Sequence, residues 1–211
     1  MHAAGRALAA AMRRLLGALA AGEINTVIAR FVDDWPTRLP PRTGTTATLP
    51  VLRWLPSLAA ASNGGAAAAG SAAANCADVA EKLIRTASDL TWQQTYTRRD
   101  LDEAFLDNYG WTELFGLRGP LVSERLSGGF LLLGPHTSYP RHRHEAEEFY
   151  VPLSGTAAWQ QGDGIWREKI VGSPIHHASF EPHAMHTADQ PLLALYLWRG
   201  AQLTGSARLD D

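Results

Sequence analysis

Two histidines one residue apart, followed by a glutamate and a tyrosine, form the pattern in this chain best suited to chemistry. They are His142, His144, Glu148 and Tyr150. Successive side chains of an extended strand point to opposite faces, so these four even-numbered residues share one face. This holds for one strand, or for two strands joined by a turn that keeps the alternation. Two imidazoles and a carboxylate aimed at one point predict a site for one divalent ion such as zinc or ferrous iron.

A solvated strand face is the plainer interpretation of the same residues, because histidine and glutamate are common at protein surfaces. The apolar residues Phe149 and Val151 fall on the opposite face. The polar face can therefore point inward only in a barrel whose interior holds a site rather than a packed core. The spacing favours the metal site.

A third imidazole is expected from a separate strand. His183 lies eleven positions after Gly172, and a proline directly precedes this histidine. His186 is the rival, but it has the opposite parity, so both cannot face the cavity from one regular strand. The spacing and the proline favour His183. The pair at 176 and 177 is interpreted as histidines of a turn or rim.

Composition and charge exclude several classes of protein. The 211 residues are 45% hydrophobic and 19% charged, which predicts one globular domain with an extension. A net charge of −2 gives no reason to expect nucleic acid or an anionic membrane as partner. The alanine-rich stretch 1–22 is interpreted as an amphipathic helix rather than a secretory signal, and no run is apolar enough to span a membrane. The single cysteine, Cys76, permits no internal disulfide, and we expect a cytoplasmic protein.

The first part of the chain is predicted to be helical. Helical spacing of apolar residues covers 3–33 and stops before a Trp-Pro pair. Prolines predict an irregular connection over 36–56, and the low-complexity stretch 59–75 is interpreted as a linker or partly as a weak helix. Further helices are predicted at 76–88 and 98–108. Together these helices are expected to cap the outside or the mouth of a barrel.

From residue 118 the chain consists of short apolar runs separated by turn residues. Phe130–Leu133 lies between glycine-containing turns, and residues 156–161 and 165–171 flank Gly162-Asp163-Gly164, which predicts a hairpin. A last run covers 192–198. We predict an all-β region over 118–203 that forms a sandwich or small barrel.

The segment from His142 to Gly155 resembles the first motif of the cupin superfamily, which is His-x-His, then Glu after three residues, then Gly after six more. The usual leading glycine is displaced, because seven residues lie between Gly134 and His142 where five are typical. The second motif begins with glycine and ends with histidine, as Gly172 and His183 do, although its internal proline and glycine are replaced. The replacing residues are Ala178 and Phe180, which leaves open the turn that presents His183.

The cupin resemblance implies a mainly β fold, a double-stranded β-helix or jelly-roll barrel with an N-terminal α-helical extension. The barrel with its metal site is expected over 116–211 and the helical extension, including the low-complexity segment, over 1–115.

Residues 92–200 are also similar to the cupin-type dimethylsulfoniopropionate (DMSP) lyases of bacteria. The likeness rests on Trp92, Tyr109-Gly110, Leu131-Leu132-Leu133-Gly134-Pro135, Tyr139-Pro140-Arg141-His142-Arg143-His144, Glu147-Glu148-Phe149-Tyr150, Pro182-His183-Ala184-Met185 and the run from Pro191 to Gly200. It implies a metal-dependent carbon–sulfur lyase that splits DMSP into dimethyl sulfide and acrylate by β-elimination.

The resemblance also implies roles for particular residues. One divalent transition metal ion (zinc, iron or manganese) would be held by His142, His144, Glu148 and His183. Whether His142 or Tyr150 ligates the metal is left open.

Three aromatic residues complete the implied site. Tyr150 is the expected base, although a phenol has an ordinary pKa of about 10 and could instead be an aromatic that fills the barrel. Tyr139 would orient substrate or assist proton transfer, or anchor a loop. Trp198 would offer its ring face to the sulfonium cation of a small zwitterionic substrate.

Other functions use the same ligand set. An iron dioxygenase, an isomerase acting on another small organic acid, and a non-catalytic cupin that binds a small ligand are the alternatives. Tyr150 favours proton abstraction. The sequence is compatible with a monomer or a homodimer.

Overall fold

The computed structural model describes residues 2–20, 25–42, 46–62, 71–205 and 207–210. Five α-helices lie in its N-terminal half: α1 (His2–Leu19), α2 (Asn25–Asp33), α3 (Leu55–Ser62), α4 (Ala72–Thr86) and α5 (Glu103–Asp107). Short 3₁₀ turns occupy Pro50–Trp54 and Ala87–Asp89. None of the helices among these residues combines the length and apolarity needed to cross a membrane.

The helix predictions succeed where apolar spacing is long and fail where side chains cap a short turn. The predicted helix 76–88 is present, and it starts earlier because Ser71 accepts a hydrogen bond from the Ala74 N–H at 3.2 Å. The predicted helix 98–108 is wrong over its first half. Asp100 accepts hydrogen bonds from Thr97, which holds a turn, and Asp102 caps the short α5.

The other predictions for residues 3–75 agree with the structure in part. Residues 3–33 form two helices, and 21–24 lie outside the described residues. The irregular connection 36–56 contains a 3₁₀ turn, and α3 begins at Leu55. The low-complexity segment is helical at both ends, while residues 63–70 lie outside the described residues.

Twelve strands form two sheets in the described residues. They are β1 (Trp92–Gln93), β2 (Tyr109–Gly116), β3 (Leu121–Val122), β4 (Leu126–Leu133), β5 (Ser138–Arg143), β6 (Glu147–Ser154), β7 (Ala157–Gln161), β8 (Arg167–Lys169), β9 (Ile175–His177), β10 (His183–Thr187), β11 (Leu192–Arg199) and β12 (Arg208–Leu209). The larger sheet has the order β1-β2-β4-β11-β6-β9 with β3 beside β2, and the smaller has β12-β5-β10-β7-β8.

This arrangement confirms the predicted fold class, a mainly β cupin barrel with an N-terminal helical extension. The predicted hairpin is present as β7 and β8, which pair antiparallel. The larger sheet already takes strands from Trp92 and Tyr109. A domain boundary at residue 116 therefore stays a prediction.

Alternation along β6 and β11 separates two cores. Their odd-numbered residues, such as Phe149 and Leu195, are fully buried against the helices, and the Phe31 ring of α2 lies 5.6 Å from that of Phe149. Burying one such side chain stabilises the fold by about 1.5–3 kcal/mol. Even-numbered residues, such as Tyr150 and Tyr196, face the barrel interior. The helical layer thus covers the outside of the larger sheet and leaves the interior free for polar residues.

Candidate metal centre and cavity

Three buried histidines converge inside the barrel. His142 is the second-last residue of β5, and His144 lies in the turn that follows. His183 begins β10, where it pairs directly with His142. One ring nitrogen from each lies within 4.8 Å of the others. The segment that carries the first two crosses from the smaller to the larger sheet, so that ligands from both sheets meet. These three residues could together hold a metal ion.

Backbone carbonyls fix the orientation of all three rings. The Nδ1 atoms of His142, His144 and His183 lie 2.8, 2.9 and 2.9 Å from the carbonyl oxygens of Pro140, Ala146 and Glu181. A carbonyl only accepts, so each Nδ1 carries a proton, and Nε2 is the ring atom left to serve as a ligand. This is the arrangement that metal-ligating histidines adopt.

Glu148 places a carboxylate against two of these rings. Its Oε2 lies 2.9 Å from Nε2 of His144 and 3.2 Å from Nε2 of His183, and the latter nitrogen has no aligned hydrogen-bond partner. Lone pairs on nitrogen and oxygen repel at this distance unless a cation, a proton or a metal ion, lies between them. Burial opposes the charge on Glu148, yet the two imidazoles hold its pKa well below its ordinary value. Three nitrogens and one oxygen fit a divalent transition metal.

The predicted aromatic residues border the same cluster. The indole Nε1–H of Trp198 donates to Oε1 of Glu148 at 2.6 Å. The ring of Tyr139 stacks on that of His142, with centroids 4.1 Å apart. Tyr150 is buried, and burial followed by the negative charge of Glu148 raises its pKa well above the ordinary value.

These residues line a cavity of about 260 Å³. His142, His144, Glu148, Tyr139, Tyr150 and Trp198 lie on its wall, and its other lining residues include Glu113, Arg118 and Tyr196. A cavity of this size suits a small molecule rather than a polymer.

The structure distinguishes the candidate histidines of the second half. His183 lies in the cluster, whereas His186 is half-buried, with its ring 4.7 Å from Trp166. The interpretation of His177 as a turn or rim residue is wrong. It lies directly opposite Glu148 on β9, fully buried, and stacks on His183 with centroids 4.0 Å apart. Its partner in sequence, His176, is half-buried and pairs with Glu147.

The turn before His183 takes its shape from the backbone of Phe180. This residue replaces the glycine of the second motif and still adopts a left-handed conformation with φ of 59°, at a cost of about 1–3 kcal/mol. Its N–H donates to the carbonyl of His144 at 2.8 Å, and Ser179 Oγ donates to that of Glu145 at 2.5 Å. Hydrogen bonds to the other turn therefore hold this conformation.

Sequence reasoning missed the polar residues supplied by other parts of the chain. Glu113 and Tyr196 lie on the cavity wall, and Tyr96 and Tyr109 place their hydroxyl groups 3.3 and 3.4 Å from that of Tyr139. If Trp198 faces the barrel interior, the alternation of side chains along β11 predicts that Tyr196 faces it too. No local signal identifies the others.

Comparison with known proteins gives a consistent result. The family model for dimethylsulfoniopropionate lyase matches residues 23–194. The putative dimethylsulfoniopropionate lyase DddL of Cereibacter sphaeroides is 36% identical over 122 residues, which are 57% of this chain and 50% of that protein. The dimethylsulfoniopropionate lyase DddQ of Ruegeria pomeroyi is 33% identical over 124 residues, 59% of this chain and 62% of that protein. The matched segment thus spans only about half to three-fifths of these curated relatives.

Solved structures match over more of the chain. One described with the DMSP lyases RdDddP and RnDddQII is 28% identical, with a TM-score of 0.82 over 100% of this chain and 99% of that one. The crystal structure of DddQ from Ruegeria pomeroyi is 27% identical, with a TM-score of 0.72 over 92% of this chain and 95% of that one. The similarity therefore includes the helical layer as well as the barrel.

Proposed function

Because this chain belongs to the dimethylsulfoniopropionate lyase family, we propose that it cleaves DMSP to dimethyl sulfide and acrylate by β-elimination. The observation that carries the proposal is the buried cluster of three imidazoles and Glu148 on the wall of a small cavity, with Tyr150 beside it. The reaction needs a base close to the α carbon and a positive charge close to the substrate carboxylate.

The proposed ligands are His142, His144, Glu148 and His183, and the proposed cofactor is one zinc, iron or manganese ion. The fixed Nδ1 protons and the inward Nε2 atoms support this set. When bound, the ion would act as a Lewis acid on the substrate carboxylate and favour the phenolate of a neighbouring tyrosine.

Tyr150 is proposed as the base. Burial and the charge of Glu148 disfavour its phenolate, and a bound cation would offset both effects. The phenolate takes the proton on the α carbon, and the electron pair of that C–H bond forms the double bond between the α and β carbons. The bond from the β carbon to sulfur breaks, and its electron pair leaves with dimethyl sulfide. The sulfonium charge and the phenolate charge are both lost, and the products are acrylate, dimethyl sulfide and neutral Tyr150.

Two further aromatic residues are proposed to bind substrate. Tyr139 stacks on His142 and shares its hydroxyl contacts with Tyr96 and Tyr109, so it is held rigidly beside the cluster. From there it orients substrate or assists proton transfer. Trp198, which is fixed to Glu148, offers a ring face to the sulfonium group.

The proposed partner is this small zwitterionic sulfonium compound alone. A net charge of −2 supports neither a nucleic acid nor an anionic membrane as partner. The cytoplasmic location and the choice between monomer and homodimer stay predictions.

Headspace detection of dimethyl sulfide tests the reaction. Purified protein is loaded with zinc, iron or manganese and given DMSP, with and without a chelator, while an oxygen electrode records the same mixtures. We expect release of dimethyl sulfide that the chelator abolishes and no oxygen uptake. Oxygen uptake without dimethyl sulfide would instead identify the dioxygenase alternative.

A further inference from the structure

Two buried carboxylates line the same cavity. Among the described residues, Glu113 and Glu148 are the acidic side chains that are buried, with 3% and 1% of their surfaces exposed, and both lie on the cavity wall. Imidazoles surround Glu148. Glu113 has no part in the reaction proposed above, so its buried charge needs a separate explanation.

Neutral groups alone hold the Glu113 carboxylate. Its Oε1 accepts hydrogen bonds from the N–H groups of Arg118 and Gly119 at 2.5 and 2.7 Å, and its Oε2 accepts one from Ser127 Oγ at 2.9 Å. Three donors suit an anion. No ion pair formed by the described residues includes Glu113. Since buried charges are usually paired, this carboxylate has capacity for a cationic ligand.

Strand pairing places Glu113 in one row with the proposed base. Glu113 on β2 lies opposite Gly129 on β4, Gly129 lies opposite Tyr196 on β11, and Tyr196 lies opposite Tyr150 on β6. Directly opposed residues share a face, so Glu113, Tyr196 and Tyr150 all point into the barrel. Burial, and then the charge of Glu113, raise the pKa of Tyr196 well above its ordinary value, which agrees with their proximity. Gly129 contributes no side chain between them.

We propose that Glu113 forms a subsite for the cationic end of the substrate, an onium group of a small zwitterionic carboxylate. The inference rests on the proposed function, because it assumes that the carboxylate end of the ligand lies at the histidine cluster. A sulfonium or quaternary ammonium group has no hydrogen-bond donor. It is recognised by negative charge and by aromatic faces, and Tyr196 and Trp111 supply such faces on the same wall as Trp198.

Arg118 is the charge that opposes this subsite. Its guanidinium lies over the Trp111 ring, 5.7 Å from the centroid, and donates to the Thr204 carbonyl at 2.5 Å. Arg118 is exposed at the rim, so water and salt screen its charge, whereas the Glu113 carboxylate is buried. Inside the cavity the negative charge of Glu113 therefore has a larger electrostatic effect than the positive charge of Arg118.

Two ligands of the same shape test whether the positive charge of the ligand is recognised. They are 3-(trimethylammonio)propionate and 4,4-dimethylpentanoate, which differ by one positive charge, and calorimetry measures their binding to metal-loaded protein. We expect the unchanged protein to bind the cationic probe about tenfold more tightly. Glu113→Gln keeps the size and the acceptor oxygen of the side chain but removes its charge, so it should lose most of the preference and keep only the part that the aromatic rings contribute. Glu124→Gln removes the same charge from an exposed position and should keep the preference.

Several outcomes would overturn the subsite. A Glu113→Gln protein that keeps the preference, or that binds both probes more weakly by the same factor, leaves Glu113 with a structural role only. If this variant does not fold, the unchanged protein still decides, since equal binding of the probes by it removes the subsite. Glu113→Asp, which retains the charge, should retain a preference. Release of dimethyl sulfide without any probe preference would refute the subsite and leave the proposed function standing.

Discussion

Trp198 and Glu148 form a direct hydrogen bond, 2.6 Å between indole Nε1 and carboxylate Oε1, across paired positions of β11 and β6. The other oxygen, Oε2, faces His144 and His183. The indole therefore holds one oxygen while leaving the other toward the imidazoles. Groups placed behind metal ligands in this way set the orientation of those ligands.

Trp198→Phe should weaken metal binding without abolishing it. The phenyl ring keeps an aromatic face but loses a hydrogen bond to a charged group, which contributes about 1.5–3 kcal/mol. We expect zinc affinity to fall by about tenfold or more, as measured by competition with a chromogenic chelator. Trp166→Phe, at a position that is 44% exposed, should leave affinity unchanged. Equal affinities for all three proteins would show that the indole does not orient Glu148.

Tyr150→Phe should abolish dimethyl sulfide release while zinc content stays near normal. The substitution removes only the hydroxyl proposed to take the α proton. Headspace chromatography and elemental analysis on the same preparation separate the two effects. His144→Ala and Glu148→Ala are the comparison variants, and both should lose metal and activity together. Loss of zinc in the Tyr150→Phe protein would instead make Tyr150 mainly a ligand.

His177→Phe should stabilise the protein or leave its stability unchanged. Both ring nitrogens of this fully buried residue have no hydrogen-bond partner, and the Glu181 carboxylate lies 3.9 Å away, beyond hydrogen-bond reach. An apolar ring keeps the stack on His183 and removes unpaired polar atoms, each costing about 1–3 kcal/mol. Urea unfolding measures the effect. A tenfold loss of zinc affinity in this variant would contradict a purely packing role.

Asp34→Asn should destabilise the protein by about 1 kcal/mol or less at neutral pH, because its ion pairs are partly exposed. Asp34 accepts hydrogen bonds from Arg199 and Arg125, each at 2.5 Å. Burial raises its pKa, but the two guanidiniums outweigh burial and hold the pKa below its ordinary value of 3.8. A depressed pKa contributes stability above pH 3.8 that is lost as pH falls through the folded value.

The difference in unfolding free energy between the unchanged protein and Asp34→Asn should therefore be constant near neutrality and shrink on acidification below pH 3.8. Urea titrations from pH 7 downward measure it. Asp33→Asn, at the exposed neighbouring position, serves as the control for loss of one negative charge. A difference that grows on acidification would contradict the assignment.

The inward face of the first cluster was predictable because alternation is local. His142, His144, Glu148 and Tyr150 share their parity, and the turn between β5 and β6 preserves it. The predicted roles of these residues as ligands and base remain proposals. The burial of His177 was not predictable, because a three-residue strand shows too little alternation to reveal which side faces the core. Only its pairing with Glu148 across the sheet determines that.

Contacts between distant parts of the chain set the limit of the sequence analysis. The position of Glu113 beside Ser127 and its row with Tyr196 depend on the pairing of β2, β4 and β11, which no local pattern specifies. The short length of α5, in contrast, has a local cause. Asp100 and Asp102 are capping residues that hold a turn and start the helix. The prediction relied on the spacing of apolar residues and therefore began the helix too early.

The hydrogen bonds that join the turn at Phe180 to the carbonyls of His144 and Glu145 connect the turns next to His144 and His183 directly. The conformational entropy of bringing imidazoles from two sheets together is thus lost when the chain folds, not when an ion arrives. Capture of a metal ion would then resemble entry into a rigid receptor. Its rate should depend on access through the cavity mouth, with little contribution from slow rearrangement of the barrel.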